Sequence, residues 1–172
     1  MEIFKFGGAS VKDAAGVKNV LEVLKTVGHE NVLLVISAMG KTTNALEIVI
    51  KNYFDKSNEL YASLQDIRKY HNQILLDLFE DEEHEVFFDV NAHFDDLEYF
   101  VRSNKSPNYP FVYDQIISIG ELVSTTIVSH YLNFAGISNQ WLDVRQYIKT
   151  DNNYRDAEVD WETTKNNISK NV

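Results

Sequence analysis

The sequence predicts an α/β fold built on a mostly parallel sheet, and three observations lead there. Residues 2–6 alternate as a short strand that runs into Gly7 and Gly8. An amphipathic stretch follows, and after it comes a continuous branched apolar run, Val32 to Ile36. Strand, helix, strand is the pattern of a crossover unit, and the unbroken apolar second strand is the kind that a parallel sheet buries on both faces. Such a unit crosses over right-handedly and delivers both strand ends to one edge of the sheet, where open α/β folds bind their ligands.

The elements follow in order. Ser10 stands where it can cap the first helix, whose apolar face is Val17, Val20, Leu21, Leu24 and Val27, and Gly28 is placed to end it. A second helix is predicted from about Asn44 to Tyr53. Two longer amphipathic stretches then form a helical hairpin, about residues 58–103. The first carries Leu60, Leu64, Ile67, Ile74, Leu75 and Leu78, and the second Val86, Phe87, Val90, Phe94, Leu97, Phe100 and Val101. The acidic run Glu80 to Glu83 makes the turn between them. A Ser, Asn and Pro cluster from Ser103 to Pro110 reads as a linker, and Asp114 to Asn133 as a long helix that ends near Gly136. Gln140 to Val144 is predicted as a third strand, Asp151 to Asp160 as turns, and the last dozen residues as the start of an amphipathic helix.

Composition narrows the function classes. In 172 residues, 16 Lys and Arg face 26 Asp and Glu, a net charge of −10, which argues against a nucleic-acid or anionic-membrane partner. The excess is local: between Asp77 and Glu98 there are ten acids and no Lys or Arg. A solvated helix face and turn account for this, with an acidic docking surface as the alternative. The absence of cysteine removes disulfides, thiolate metal sites and thiol nucleophiles. No apolar run approaches the roughly 18 residues of a membrane span, and the first residues lack the pattern of a signal peptide, so a cytoplasmic location is expected. The length fits one domain or one lobe of a larger one.

Three places carry chemistry. At Lys5 to Ser10 a strand feeds a helix through paired glycines, which let backbone amides approach a phosphate, while Lys5 can neutralise transferring phosphoryl oxygens. A plain tight turn with a solvated lysine has the same sequence, and the spacing is not that of a dinucleotide fingerprint. At Ile36 to Asn44 the hydroxyls of Ser37, Thr42 and Thr43 stand at a helix start, able to bind an anion or simply to cap the helix. The GKTT at Gly40 to Thr43 is no P-loop, because the glycine required five residues earlier is Val35, within the strand. Within the long helix, Gly120 costs about 1 kcal/mol relative to alanine, which points to close approach of a backbone or ligand. Its neighbour Glu121 could then hold an ammonium group, or be an exposed or internally paired glutamate. His84 and His93, nine positions apart on a helix, fall on opposite faces and do not suggest a metal site.

The chain contains KFGGAS at Lys5 to Ser10, VISAMGKTTNAL at Val35 to Leu46, SIGELVS at Ser118 to Ser124 and WLDVRQYIKTDNNYRDAEVD at Trp141 to Asp160. Four such segments in this order resemble the aspartate kinases of the amino-acid kinase family, with Ala9 standing where the family usually has Thr. The resemblance implies a three-layer αβα sandwich with a mostly parallel sheet and a helical hairpin insertion. Residues 1–172 would be its N-terminal, amino-acid-binding lobe, incomplete as a kinase domain. It implies transfer of the ATP γ-phosphoryl group, with Mg²⁺ accompanying the nucleotide, to the side-chain carboxylate of L-aspartate. The product, 4-phospho-L-aspartate, leads to lysine, threonine and methionine. By the same likeness Lys5 contacts the transferring phosphates and Gly7 and Gly8 form the phosphate-approach turn. Ser37 is a nucleotide-binding contact at the site's edge, Thr43 and Glu121 take aspartate, and Glu121 faces its ammonium. The family's nucleotide-base lobe and regulatory domains have no counterpart in this sequence, so alone it is expected to be a poor kinase or none, and the longer parent a homo-oligomer. The alternatives are a family member with another carboxylate or carbamate acceptor, and a non-catalytic binding or assembly module.

Overall fold

The computed structural model describes residues 1–171. Strand β1 (Glu2–Phe6) pairs in parallel with β2 (Val32–Ile36), in the register Glu2↔Val32 to Phe6↔Ile36. Helix α1 (Ala14–Val27) makes the crossover, ended by Gly28 at φ 101°. The remaining helices are α2 (Thr42–Phe54), α3 (Leu60–Phe79), α4 (Glu85–Ser103), α5 (Tyr109–Phe134), the short α6 (Val144–Tyr147) and α7 (Trp161–Asn171). The core is helical: α5 packs on α2 and α4, α3 packs on both of these, and β2 rests against α5.

The sheet has one covered and one open face. Phe4, Phe6, Val32 and Leu34 pack on the core, whereas Ile3 is 62% and Val35 43% exposed. Double-sided burial of β2, expected from its unbroken apolar run, is therefore not what the described residues show. Side chains alternate along a strand, so Lys5 shares the open face with Ile3 and Val35.

Four local expectations are corrected. Ser10 does not cap α1: Gly8–Val11 is a 3₁₀ turn, and Asp13 is the cap, its Oδ1 accepting from the Gly16 amide at 2.8 Å. Helix α5 begins at Tyr109, well before Asp114, because Asn108 caps it through the Phe111 amide and Pro110 needs no amide partner in a first turn. Gln140 to Val144 forms no strand. Trp141 instead turns inward to donate to Thr125 Oγ1 at 2.9 Å, and Asp143 caps α6. Finally, α5 does have the length and apolarity of a membrane span, which counting unbroken apolar runs does not reveal, yet half of its most apolar window is buried in this core. The hairpin stands as expected, α3 ending at Glu80 in the left-handed region, with Asp81 Oδ1 accepting from the Glu83 amide in the turn.

Candidate functional site

The two strand-to-helix junctions lie side by side because their strands do. Beyond the last register pair the ladder continues: the Ser37 amide donates to Phe6 O at 3.1 Å, and the Gly40 amide donates to Gly8 O at 2.9 Å. Gly8 has no room for a side chain, since a Cβ there would sit 2.5 Å from Ala38 O. Gly7 is the opposite case, with nothing within 4 Å of the same point. One glycine thus allows the junctions to touch, and the other leaves its backbone open to a ligand.

Helix α5 closes the arrangement from the core side. A Cβ on Gly120 would lie 3.0 Å from Ala38 Cβ and 3.3 Å from both Leu46 Cδ1 and Thr42 Cγ2, so its small size sets how closely α5 meets the β2–α2 junction. One turn on, the buried Ser124 Oγ donates to Ser37 O at 2.8 Å. Glu121, next to Gly120, turns out of this contact and is exposed.

The polar groups here divide into two kinds. Thr42, His71 and Ser124 are buried and spent on one another or on backbone. Thr42, a candidate ligand by sequence, is 4% exposed and has its hydroxyl 2.6 Å from Met39 O and 3.3 Å from His71 Nε2, so it serves the fold. Lys5 and Glu121 are exposed, Ser37 and Thr43 half-buried, and none of these four side chains has a hydrogen-bond or ion-pair partner among the described residues. A cation, two hydroxyls and a carboxylate without internal partners are what a polar, doubly charged ligand needs.

Behind the junctions, neighbouring residues of α3 reach both. The Tyr70 hydroxyl donates to Lys12 O, just past the first junction, and lies against Gly40 at φ 54° in the second. Burial raises the Tyr70 phenol above its usual range, with the Asp13 charge adding to it. His71 Nδ1 donates to Ile67 O at 2.8 Å, leaving the Nε2 lone pair toward Thr42. Burial pushes the His71 imidazole down to about 4, so it is neutral at ordinary pH.

Residues not singled out by sequence also stand near the middle of α5. Thr125 Oγ1 bonds Glu121 O and receives Trp141, and two residues beyond Trp141 the Asp143 carboxylate takes the Arg145 guanidinium in a bidentate pair, shortest contact 2.6 Å. The Arg145 hydrogen bonds hold Asp143 below the usual carboxylate range. Asp143 and Arg145 have a detectable signal in their i, i+2 spacing after a short apolar run, and Ser124 in its i+4 spacing from Gly120. His71, a lone histidine on an apolar helix face, has none. His84 caps α4 and His93 bonds Thr126, in separate surroundings.

The model of the Amino acid kinase family matches residues 1–172. Bifunctional aspartokinase/homoserine dehydrogenase 2 of Escherichia coli K12 is 27% identical over 150 residues, covering 87% of this chain and 18% of the relative. Chloroplastic aspartokinase 1 of Arabidopsis thaliana is 30% identical over 163 residues, covering 87% of this chain and 26% of the relative. Crystal structures of E. coli aspartokinase III, one with lysine and aspartate and one with aspartate and ADP, each superpose with a TM-score of 0.86 at 24% identity. Each covers 99% of this chain and 37% of the other. The chain thus spans well under half the length of these relatives.

Proposed function

Since the chain belongs to the amino-acid kinase family, we propose that it forms the acceptor-binding and phosphate-approach part of an aspartate kinase. The observation that carries this reading is the pair of backbone bonds Ser37 to Phe6 and Gly40 to Gly8. They set two glycine-bearing junctions edge to edge, with unpartnered Lys5 on one strand and unpartnered Glu121 on the helix packed against the other.

The chemistry asks little of a side chain. The aspartate side-chain carboxylate is already ionised at neutral pH, so it attacks the γ-phosphorus without a general base. One P–O bond forms to the carboxylate oxygen. The bond to the bridging β-phosphate oxygen breaks, and ADP leaves with that electron pair. Attack by one anion on another is opposed by charge repulsion, and a lysine ammonium beside the phosphoryl oxygens relieves it. Lys5 supplies that charge, while the open backbone at Gly7 and the closely held Gly8 allow the phosphates near. Mg²⁺ bound with the nucleotide would add further neutralisation of the phosphate charge. The Glu121 carboxylate faces the substrate ammonium and the Thr43 hydroxyl bonds one of the substrate's oxygens, while the Ser37 hydroxyl stands on the nucleotide side of the site.

The test is acceptor competition. Full-length gene product with MgATP and hydroxylamine should form the hydroxamate of aspartate in preference to those of glutamate and N-acetylaspartate, the last lacking the ammonium that Glu121 would read. Equal yields from aspartate and N-acetylaspartate would overturn the assignment of Glu121. Phosphorylation of a carbamate in place of aspartate would overturn the substrate.

A further inference from the structure

Two adjacent residues of α3, Tyr70 and His71, touch the two junctions from behind, and nothing in the proposed chemistry uses them. His71 is fully buried, and its ring is fixed from both sides. Nδ1 is committed to Ile67 O at 2.8 Å, so Nε2 has one orientation, and that orientation meets Thr42 Oγ1 at 3.3 Å. Thr42 in turn reaches back 2.6 Å to Met39 O, the carbonyl that also receives the Thr42 amide at 3.0 Å. The single Thr42 hydroxyl proton is shared, mostly by Met39 O at 2.6 Å and more weakly by Nε2 at 3.3 Å, so the turn leading from β2 into α2 meets the hairpin at one imidazole. The crevice around it, lined by Thr42, Leu46, Ile67, His71, Phe94 and Gly120, has no room for a water that could stand in. An apolar residue would fill this space without a buried polar group to satisfy, so packing alone does not explain an imidazole here.

We propose that His71 is a positioning residue: through Thr42 it fixes the β2–α2 turn, and with it the direction in which the next residue, Thr43, presents its hydroxyl to the amino-acid substrate. The inference rests on the reading of Thr43 as an acceptor contact. Tyr70 acts beside it, its hydroxyl on Lys12 O and its ring against Gly40, so the hairpin sets both junctions relative to one helix.

The test uses the full-length gene product and three variants. His71→Leu removes the acceptor at similar volume, Thr42→Val removes its partner, and His71→Gln restores an acceptor near the Nε2 position. Both removals should raise KM for the amino-acid acceptor about tenfold while KM for ATP and kcat stay within about twofold, and the double variant should be no worse than either single one. His71→Gln should recover most of the loss. Unchanged acceptor KM in folded His71→Leu, or additive losses in the double variant, would overturn the inference. Amide exchange at Gly40 and Thr42 is read on the same samples and needs no turnover. It should quicken about tenfold in both removals with α1 unaffected, and unchanged exchange counts against the inference whatever the activity. If exchange quickens but the wild-type protein phosphorylates no aspartate, the functional reading fails and the role toward Thr43 falls with it, leaving only the hold of His71 on the turn. If the wild type is an aspartate kinase and neither readout moves, the positioning role alone fails. Should His71→Leu not fold, Thr42→Val and His71→Gln give the same comparisons.

Discussion

The Gly40 amide donates to the carbonyl of Gly8 across 2.9 Å, so the junctions that leave β1 and β2 are joined backbone to backbone. No side chain mediates that contact. Tyr70 of the hairpin and Gly120 of α5 pack against it from behind.

Gly8 and Gly7 should separate stability from ligand approach. The Cβ of Gly8→Ala would meet Ala38 O, a backbone atom that cannot swing aside, at 2.5 Å. Urea unfolding should show a loss of about 2–3 kcal/mol. Gly7→Ala meets nothing within 4 Å at φ −76°, so its midpoint should hardly move while KM for ATP rises.

Glu121→Gln should leave the fold untouched, because the side chain is exposed without an internal partner. Losing one charge-assisted bond of roughly 1.5–3 kcal/mol should raise KM for aspartate by about ten- to a hundredfold. The KM for ATP is the internal control. An equal rise in both would place Glu121 elsewhere than at the acceptor.

Ser124→Ala deletes the hydroxyl that donates to Ser37 O at 2.8 Å and leaves that carbonyl unsatisfied inside the protein. A loss of about 1–3 kcal/mol follows. Thermal unfolding checks it, and a neutral result would mean that α5 is held to the junction by packing at Gly120 alone.

His71 makes stability depend on pH in a definite sense. The folded-state imidazole sits at about 4 against 6.5 for an ordinary histidine. Between these values the unfolded chain binds a proton that the native state refuses, so stability falls as pH drops from about 6.5 to 4, by about 3 kcal/mol in all. Below about 4 both states are protonated and this contribution is constant. Urea titrations of wild type and His71→Leu across that window should show the steeper slope in the wild type, and parallel slopes would mean that the ring is already charged in the native state.

What was legible in the sequence had a local physical signature. The β1–α1–β2 crossover follows from Gly28 and the branched run Val32 to Ile36, and the hairpin from its two apolar faces. Gly120 was legible as a close-approach glycine because a mid-helix glycine has a propensity cost that something must offset. Trp141 was misread because an apolar residue in an alternating run looks like a strand whether it pairs in a sheet or, as here, turns to a threonine on a helix. Thr42 and Thr43 are indistinguishable as a hydroxyl pair. The 100° step between them in α2 turns one into the core and leaves the other half-open, and the packing of α3 and α5 decides which. His71 was illegible because its partner lies 29 residues away.

The most direct test is the rate of aspartyl hydroxamate formation by the full-length gene product carrying Lys5→Ala. Lys5 is exposed and unpartnered, so circular dichroism and the unfolding midpoint should match wild type. Turnover should fall by about a thousandfold as the charge beside the transferring phosphoryl group is lost. A folded Lys5→Ala protein that still makes the hydroxamate within a few-fold of the wild-type rate would contradict the account.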